Sequence, residues 1–350
     1  MSLLSNQDRP GKKLDELSIY RFSHEAMSTF FELLLAGEEE IYARSAAQVF
    51  FKEIDRLERL FSRFDPGSEI SMINRLEPGE TLPIGIETYE CLKTSFELMA
   101  ATGGAFNINF RAIKNKRATG GGGSNKKTDG TLNSTKSGDR QDDKTRGAVG
   151  TVKTETGSGQ ESRPEKEAWA ELFPLELLET QTQYLALRLE GSAYGLDLDL
   201  GAIGKGYALE VASSLLSGWE IDSFLANAGE STVLARGKEA WPVTVGGGFD
   251  FLKPGRASLK DRALSGSGHE VKGEHIYDPR GQQSQSRQLA VWVSHPSPAL
   301  SDGLSTAFMV MDLEEIEAAT AAQPEIWTLV VGRDKNCYWF NRPDDFSQDI

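Results

Sequence analysis

The chain has 350 residues, enough for a large core in one domain or two, and 39% hydrophobic against 26% charged residues describes a soluble globular protein. A formal net charge of -14 repels nucleic acid and suits a site assisted by a cation, while Cys91 and Cys337, far apart and without any C-x-x-C spacing, indicate neither a disulfide framework nor a zinc site. No run of about 18 apolar residues occurs, so no transmembrane segment is expected, and the opening MSLLSNQDRPGKK lacks the apolar stretch of an export signal. That points to the cytoplasm; a periplasmic or membrane-associated location would require an export segment ahead of this sequence.

Along the chain, "TFFELLLAG" (29–37) reads as a strand, and Phe50, Ile54, Leu57 and Phe61 recur at helical spacing. "RFDPGSEISMINR" (63–75) reads as a polar, turn-forming exit from that helix. A second helix carries Tyr89, Leu92, Phe96 and Met99 and ends at Gly103-Gly104. "TGGAFNINF" (102–110) then supplies a small-residue turn that could line a flat aromatic ligand. From Lys114 to Ala168 the composition turns to Gly, Ser, Thr and Asn with almost no large apolar residue, and 12 Lys and Arg face 8 Asp and Glu. Such a stretch cannot bury enough surface to offset its ordering entropy, so 114–168 is expected to be a disordered insert within one unit spanning 20–345.

Beyond it, "YLALRLEG", "YGLDLDLG", "SFLANAG", "WPVTVGG", "QLAVWVSHP", "IWTLVVGRD" and "CYWFN" read as strands. Helices are expected over Tyr207–Leu216 and from about Asp302 to Met311. The spacing is too irregular for repeated βαβ units, so the fold expected is α+β, with largely antiparallel sheets and packed helices in a single globular unit.

Three stretches carry chemistry. "LDLDLGAIGKGYALE" (196–210) brackets Lys205 with glycines between an alternating segment and a helix. It is not a Walker loop, because Asp199 stands where the first glycine belongs and Gly206 where Ser or Thr binds magnesium. Nor is it a dinucleotide fingerprint, since Tyr207, Ala208 and Leu209 follow Gly204-Lys205-Gly206. What remains is a backbone a ligand can approach, with a helix start and a lysine to attract an anion; a plain turn is the competing reading. In "HPSPALSDGLSTAFMVM" (295–311), Asp302 and Thr306 lie one helical turn apart, where a carboxylate and a hydroxyl can share magnesium; an N-cap and a buried threonine would look the same. "SGSGHEVKGEHIYDPRGQ" (265–282) offers His269 and His275 near Asp278, a base with a carboxylate or simply structural histidines.

As an ordered set, "MSTFFELLL", "FSRFDPGSEISMIN", "TGGAFNINF", "LDLGAIGKGYALE", "FLANAG", "SGHEVKGEHIYDPRG" and "SDGLSTAFMV" resemble the ApbE family, the FAD:protein FMN transferases. The resemblance runs from about Met27 to Met311. It implies a Mg²⁺-dependent transfer of FMN from FAD to a threonine hydroxyl of an acceptor protein, a redox or electron-transport subunit, with release of AMP. It also implies flavin and adenine contacts at Met27, Phe64, Ala105, Phe106 and Asn107, phosphate proximity for Lys205, metal ligation by the Ala202 carbonyl, Asp302 and Thr306, and a general base at His275. Two positions depart from the family pattern: Asn107 replaces the usual Asp, and Gly229-Glu230-Ser231 replaces Gly-Gly-Asp or similar. An FAD pyrophosphatase yielding FMN and AMP, or a non-catalytic FAD-binding protein, are the alternatives.

Overall fold

The computed structural model describes residues 17–120, 173–229, 231–246, 255–268, 276–281 and 286–348. Strands β1 (Ile19–Ala26) and β2 (Thr29–Ala36) form a hairpin. Its turn residues Met27 and Ser28 both have positive φ, 50° and 58°, the combination that a two-residue hairpin turn with right-handed strand twist demands. This hairpin starts an eight-stranded antiparallel sheet in the order β1-β2-β6-β7-β10-β11-β12-β13, completed by β6 (Phe224–Ala228), β7 (Thr232–Arg236), β10 (Arg262–Gly268), β11 (Gln288–His295), β12 (Trp327–Gly332) and β13 (Cys337–Phe340). Two three-stranded antiparallel sheets accompany it. One joins β3 (Thr81–Ile84), β5 (Tyr184–Arg188) and β4 (Leu175–Glu179); the other joins β14 (Ser347–Gln348), β9 (Gly255–Leu259) and β8 (Trp241–Val245).

Strand periodicity divides the large sheet between two cores. Phe31, Leu33 and Leu35 of β2 point to the helices, whereas Leu34 points to the other face. The second face closes with Trp241, Val243, Trp292, Trp327, Leu329 and Phe346. On the first face lie α1 (Glu40–Phe61), α3 (Ile86–Ala101), α5 (Gly204–Ser217) and α6 (Pro298–Phe308). Helix α1 buries Ala43, Ala47, Phe50, Ile54, Leu57 and Phe61, the stripe that its 3.6-residue repeat requires. Short helices α2 (Glu69–Asn74), α4 (Phe110–Gly120) and α7 (Leu313–Ala321) fill the connections.

The α+β, antiparallel expectation holds, and several local expectations are corrected. The 63–75 stretch is not all turn: Ser68 caps α2 by accepting from the Ser71 N–H at 3.0 Å. Helix α4 runs into the first residues assigned by composition to the insert, while 121–168 lie outside the described residues. Helix α6 starts at Pro298 rather than Asp302, with Ser297 as its cap and proline in the first turn, where a missing N–H costs nothing. "YGLDLDLG" joins no ladder among the described residues. Side-chain amides take the place of a neighbouring strand there: Asn74 donates to the Leu198 carbonyl (3.1 Å) and accepts its N–H (2.7 Å), and Asn109 donates to the Gly195 carbonyl (3.0 Å) and accepts from the Asp197 N–H (2.8 Å).

Candidate active site

Asp302, Lys205 and Gly206 meet where the first turns of α5 and α6 cross. An α-helix leaves its first N–H groups without intrahelical partners, and α5 has no side-chain cap of its own. Asp302, one turn into α6, supplies what α5 lacks: its Oδ2 accepts the Gly206 N–H at 3.2 Å. The arrangement is reciprocal. Glu210 of α5 accepts from the Ser297 hydroxyl at 2.6 Å and from the Ala299 N–H at 3.5 Å at the start of α6. Each helix thus lends a carboxylate to the positive end of the other. The crossing admits only glycine at 206, because a Cβ there would overlap the Pro298 carbonyl and come within 2.9 Å of the Asp302 Cβ. His295, at the end of β11, accepts the Ser297 N–H on Nδ1 (2.9 Å), and burial lowers its pKa below the ordinary imidazole value.

The Lys205 ammonium donates to the Gly201 carbonyl at 2.8 Å and stands 4.0 Å from Asp302 Oδ2. Ala202 lies in the loop closed by that bond. Thr306 follows Asp302 by one turn; its Oγ1 is 3.4 Å from the Asp302 carbonyl and 3.5 Å from Ser267 Oγ on β10. The structure therefore brings Lys205, Asp302 and Thr306 together. The Asp302 carboxylate and the Thr306 hydroxyl one turn on are oxygen donors, the kind a hard cation such as magnesium takes. Among the described residues no group of three or more His, Cys, Asp or Glu could hold a metal. Among the described residues, the neutral Thr306 hydroxyl one turn along α6 is the side-chain oxygen that would accompany Asp302 at a cation.

The 105–107 turn abuts this junction. Phe106 is buried, and its ring lies against Gly303, where an added Cβ would overlap Leu98 and stand 3.4 Å from Phe106. Ala105 is buried as well. Asn107 Oδ1 accepts the Asn109 N–H at 2.8 Å, while its buried Nδ2 has no hydrogen-bond partner among the described residues.

Met27 and Phe64 sit farther out, beside a cavity of about 290 Å³ lined by Asp55, Glu58, Arg59, Ser62 and Asp65. Glu58 Oε1 accepts the Met27 N–H at 2.8 Å and so anchors the tight turn of the hairpin. Phe64 is 81% exposed, with the Arg63 guanidinium 4.9 Å from its ring centre. No described contact joins either residue to Lys205 or Asp302.

His269, His275 and Glu230 lie outside the described residues. The segment after His275 is firmly held: Arg280 pairs with Asp278 (3.1 Å) and Glu315 (2.6 Å), and Arg117 of α4 donates to the Tyr277 hydroxyl at 3.1 Å.

Sequence reasoning missed Glu210, Ser267, Glu58, Arg63, Asn74 and Asn109. The only local signal was that Asn74 and Asn109 are polar residues closing short apolar stretches, whereas the partners of the others are 31 or more positions away.

The family model described as the ApbE family matches residues 27–330. A curated relative, the FAD:protein FMN transferase of Rhodobacter capsulatus, is 31% identical over 131 residues, 34% of this chain. That match spans only 25% of the relative's own length. Among solved structures, the apo flavinyl transferase ApbE of Pseudomonas stutzeri superposes with a TM-score of 0.63 at 18% identity, covering 95% of this chain and 94% of its own. The ApbE protein of Thermotoga maritima gives 0.66 at 21% identity, covering 92% and 97%. The flavin transferase ApbE of Vibrio cholerae gives 0.66 at 18%, covering 93% and 97%. These likenesses extend the fold over nearly the whole length of each solved chain.

Proposed function

The chain belongs to the ApbE family, and from that premise we propose that it transfers FMN from FAD to a threonine hydroxyl of an acceptor protein, releasing AMP. The observation that carries this reading is the Asp302 carboxylate fixed at the crossing of two helix starts, with the Lys205 ammonium 4.0 Å away. That site combines positive helix ends and a lysine for an anion with oxygen donors for a cation, which is what splitting a pyrophosphate requires.

Asp302, the Thr306 hydroxyl and the Ala202 carbonyl would hold Mg²⁺, which when bound supplies Lewis-acid neutralisation of pyrophosphate charge. Lys205 and the start of α5 bind and orient the same phosphates. Met27, Phe64 and the 105–107 turn flank the ring systems. His275, in the H-I-x-D-P motif, takes the proton from the threonine Oγ as that oxygen bonds to the FMN phosphorus. The bond from this phosphorus to the bridging oxygen breaks, and the electron pair leaves with AMP. The acceptor is expected to be a redox or electron-transport subunit, since a covalent flavin serves electron transfer.

The test is incubation with FAD and magnesium, with and without a protein bearing an acceptor threonine. A fluorescent flavin band on the acceptor is the expected result. Free FMN and AMP without acceptor would favour the pyrophosphatase, and bound, unchanged FAD the non-catalytic binder. His275→Ala is expected to abolish the band.

A further inference from the structure

Arg63 leaves the turn after α1, which Ser62 fixes by accepting the N–H groups of Phe64 and Asp65, each at 3.2 Å. Its guanidinium reaches two carboxylates ahead of the glycine loop: Nη2 is 3.4 Å from Asp197 Oδ1, and Nε is 3.9 Å from Asp199 Oδ2. Its other face stacks on Phe64. Asp199 Oδ1 in turn accepts the Gly201 N–H at 2.9 Å, and the Gly201 carbonyl receives Lys205. One continuous series of contacts therefore joins the exposed ring of Phe64 to Lys205 and, beyond it, Asp302.

We infer that Arg63 is a positioning residue for FAD, acting through Asp199 on the Gly201–Lys205 loop and through its own stacking on Phe64. The inference rests on the flavin transferase reading of the site. Two carboxylates beside an anion-binding loop, in a chain of net charge -14, oppose a pyrophosphate unless a cation offsets them. Arg63 does so for both, and Arg111 adds a contact to Asp197 at 3.3 Å. The backbone of this segment does not depend on Arg63, because Asn74 and Asn109 already hold it. Among the described residues its buried Nε has no hydrogen-bond partner, as suits a group placed for charge and stacking rather than for tethering. Among the residue types available, Arg serves both ends at once, since its planar cation stacks on an aromatic face while facing carboxylates.

The test is equilibrium FAD binding, read by flavin fluorescence at fixed magnesium in the non-turnover His275→Ala background. Arg63→Gln should weaken FAD binding about tenfold, the loss expected for one charge-assisted contact. Thermal stability should stay close to that of the parent. Arg63→Lys, which keeps the charge and loses the planar stack, should fall between. Adding Asp199→Asn, which keeps an oxygen for Gly201 and removes the unbalanced charge, should restore most of the affinity lost in Arg63→Gln. In the active enzyme the same variant should raise KM for FAD and leave kcat within about twofold, since the contact orients substrate before the chemical step. Unchanged affinity in Arg63→Gln, no rescue by Asp199→Asn, or a loss that follows unfolding would each overturn the inference. Failure of FMN transfer with this binding pattern intact would instead count against the transferase reading alone.

Discussion

The crossing of α5 and α6 and the outer rim at Met27 and Phe64 are built in opposite ways. At the crossing, carboxylates bind backbone N–H groups, glycine is compulsory at 206, and Asp302 is buried. At the rim, an exposed phenyl ring rests on a guanidinium, and a hairpin turn is pinned by one carboxylate. The groups we propose to act on the pyrophosphate are tied to main chain, whereas Met27 and Phe64, which we propose to face the ring systems, are tied to the side chains of Glu58 and Arg63. Rigid placement suits charge stabilisation, which loses its value when donors must reorganise; adjustable placement suits recognition of a large flat ligand.

The contrast breaks most severely with Gly206→Ala, whose methyl group would strike the Pro298 carbonyl. Overpacking at such a contact costs about 1–3 kcal/mol or more, so thermal denaturation should show a large fall in Tm together with loss of FMN transfer. Asp302→Asn separates the two tasks of that residue. The amide oxygen still accepts the Gly206 N–H, so Tm should change little, while FMN transfer should fall about 100-fold or more with the charge gone. A parallel collapse of stability would mean that Asp302 is chiefly a cap. Glu210→Ala removes only the return contact to α6 and should cost about 1 kcal/mol, the usual worth of a helix cap, with KM for FAD unchanged in steady-state assays. Phe64→Ala, at the rim, should leave stability within about 0.5 kcal/mol and raise KM for FAD a few-fold. A larger effect on kcat than on KM would show the rim to be part of the rigid machinery after all.

Much of this was legible in the sequence because it is local. The apolar stripe of α1 follows from helical periodicity, β2 and β11 read as strands from short apolar runs, and the spacing of Asp302 and Thr306 already placed them on one helical face. The crossing was not legible, since Gly206 and Asp302 are 96 positions apart and nothing near either names the other. The start of α6 was misplaced because Asp302 has the residue type of an N-cap, yet its carboxylate caps a different helix. "YGLDLDLG" was misread for a similar reason. Its alternation is that of a strand, but Asn74 and Asn109 satisfy its backbone, and no local pattern distinguishes a ladder from a pair of amide clamps.

The same 96-position separation bears on how the molecule is made. Strands β6 to β11 all lie between Gly206 and Asp302, so the meeting of the two helix starts closes a long loop that contains four strands of the large sheet. Contacts this distant in sequence form slowly, and during synthesis α5 leaves the ribosome well before α6. The helix crossing is therefore one of the long-range closures on which the finished fold depends, and a ligand seated there would draw on both sides of that closure.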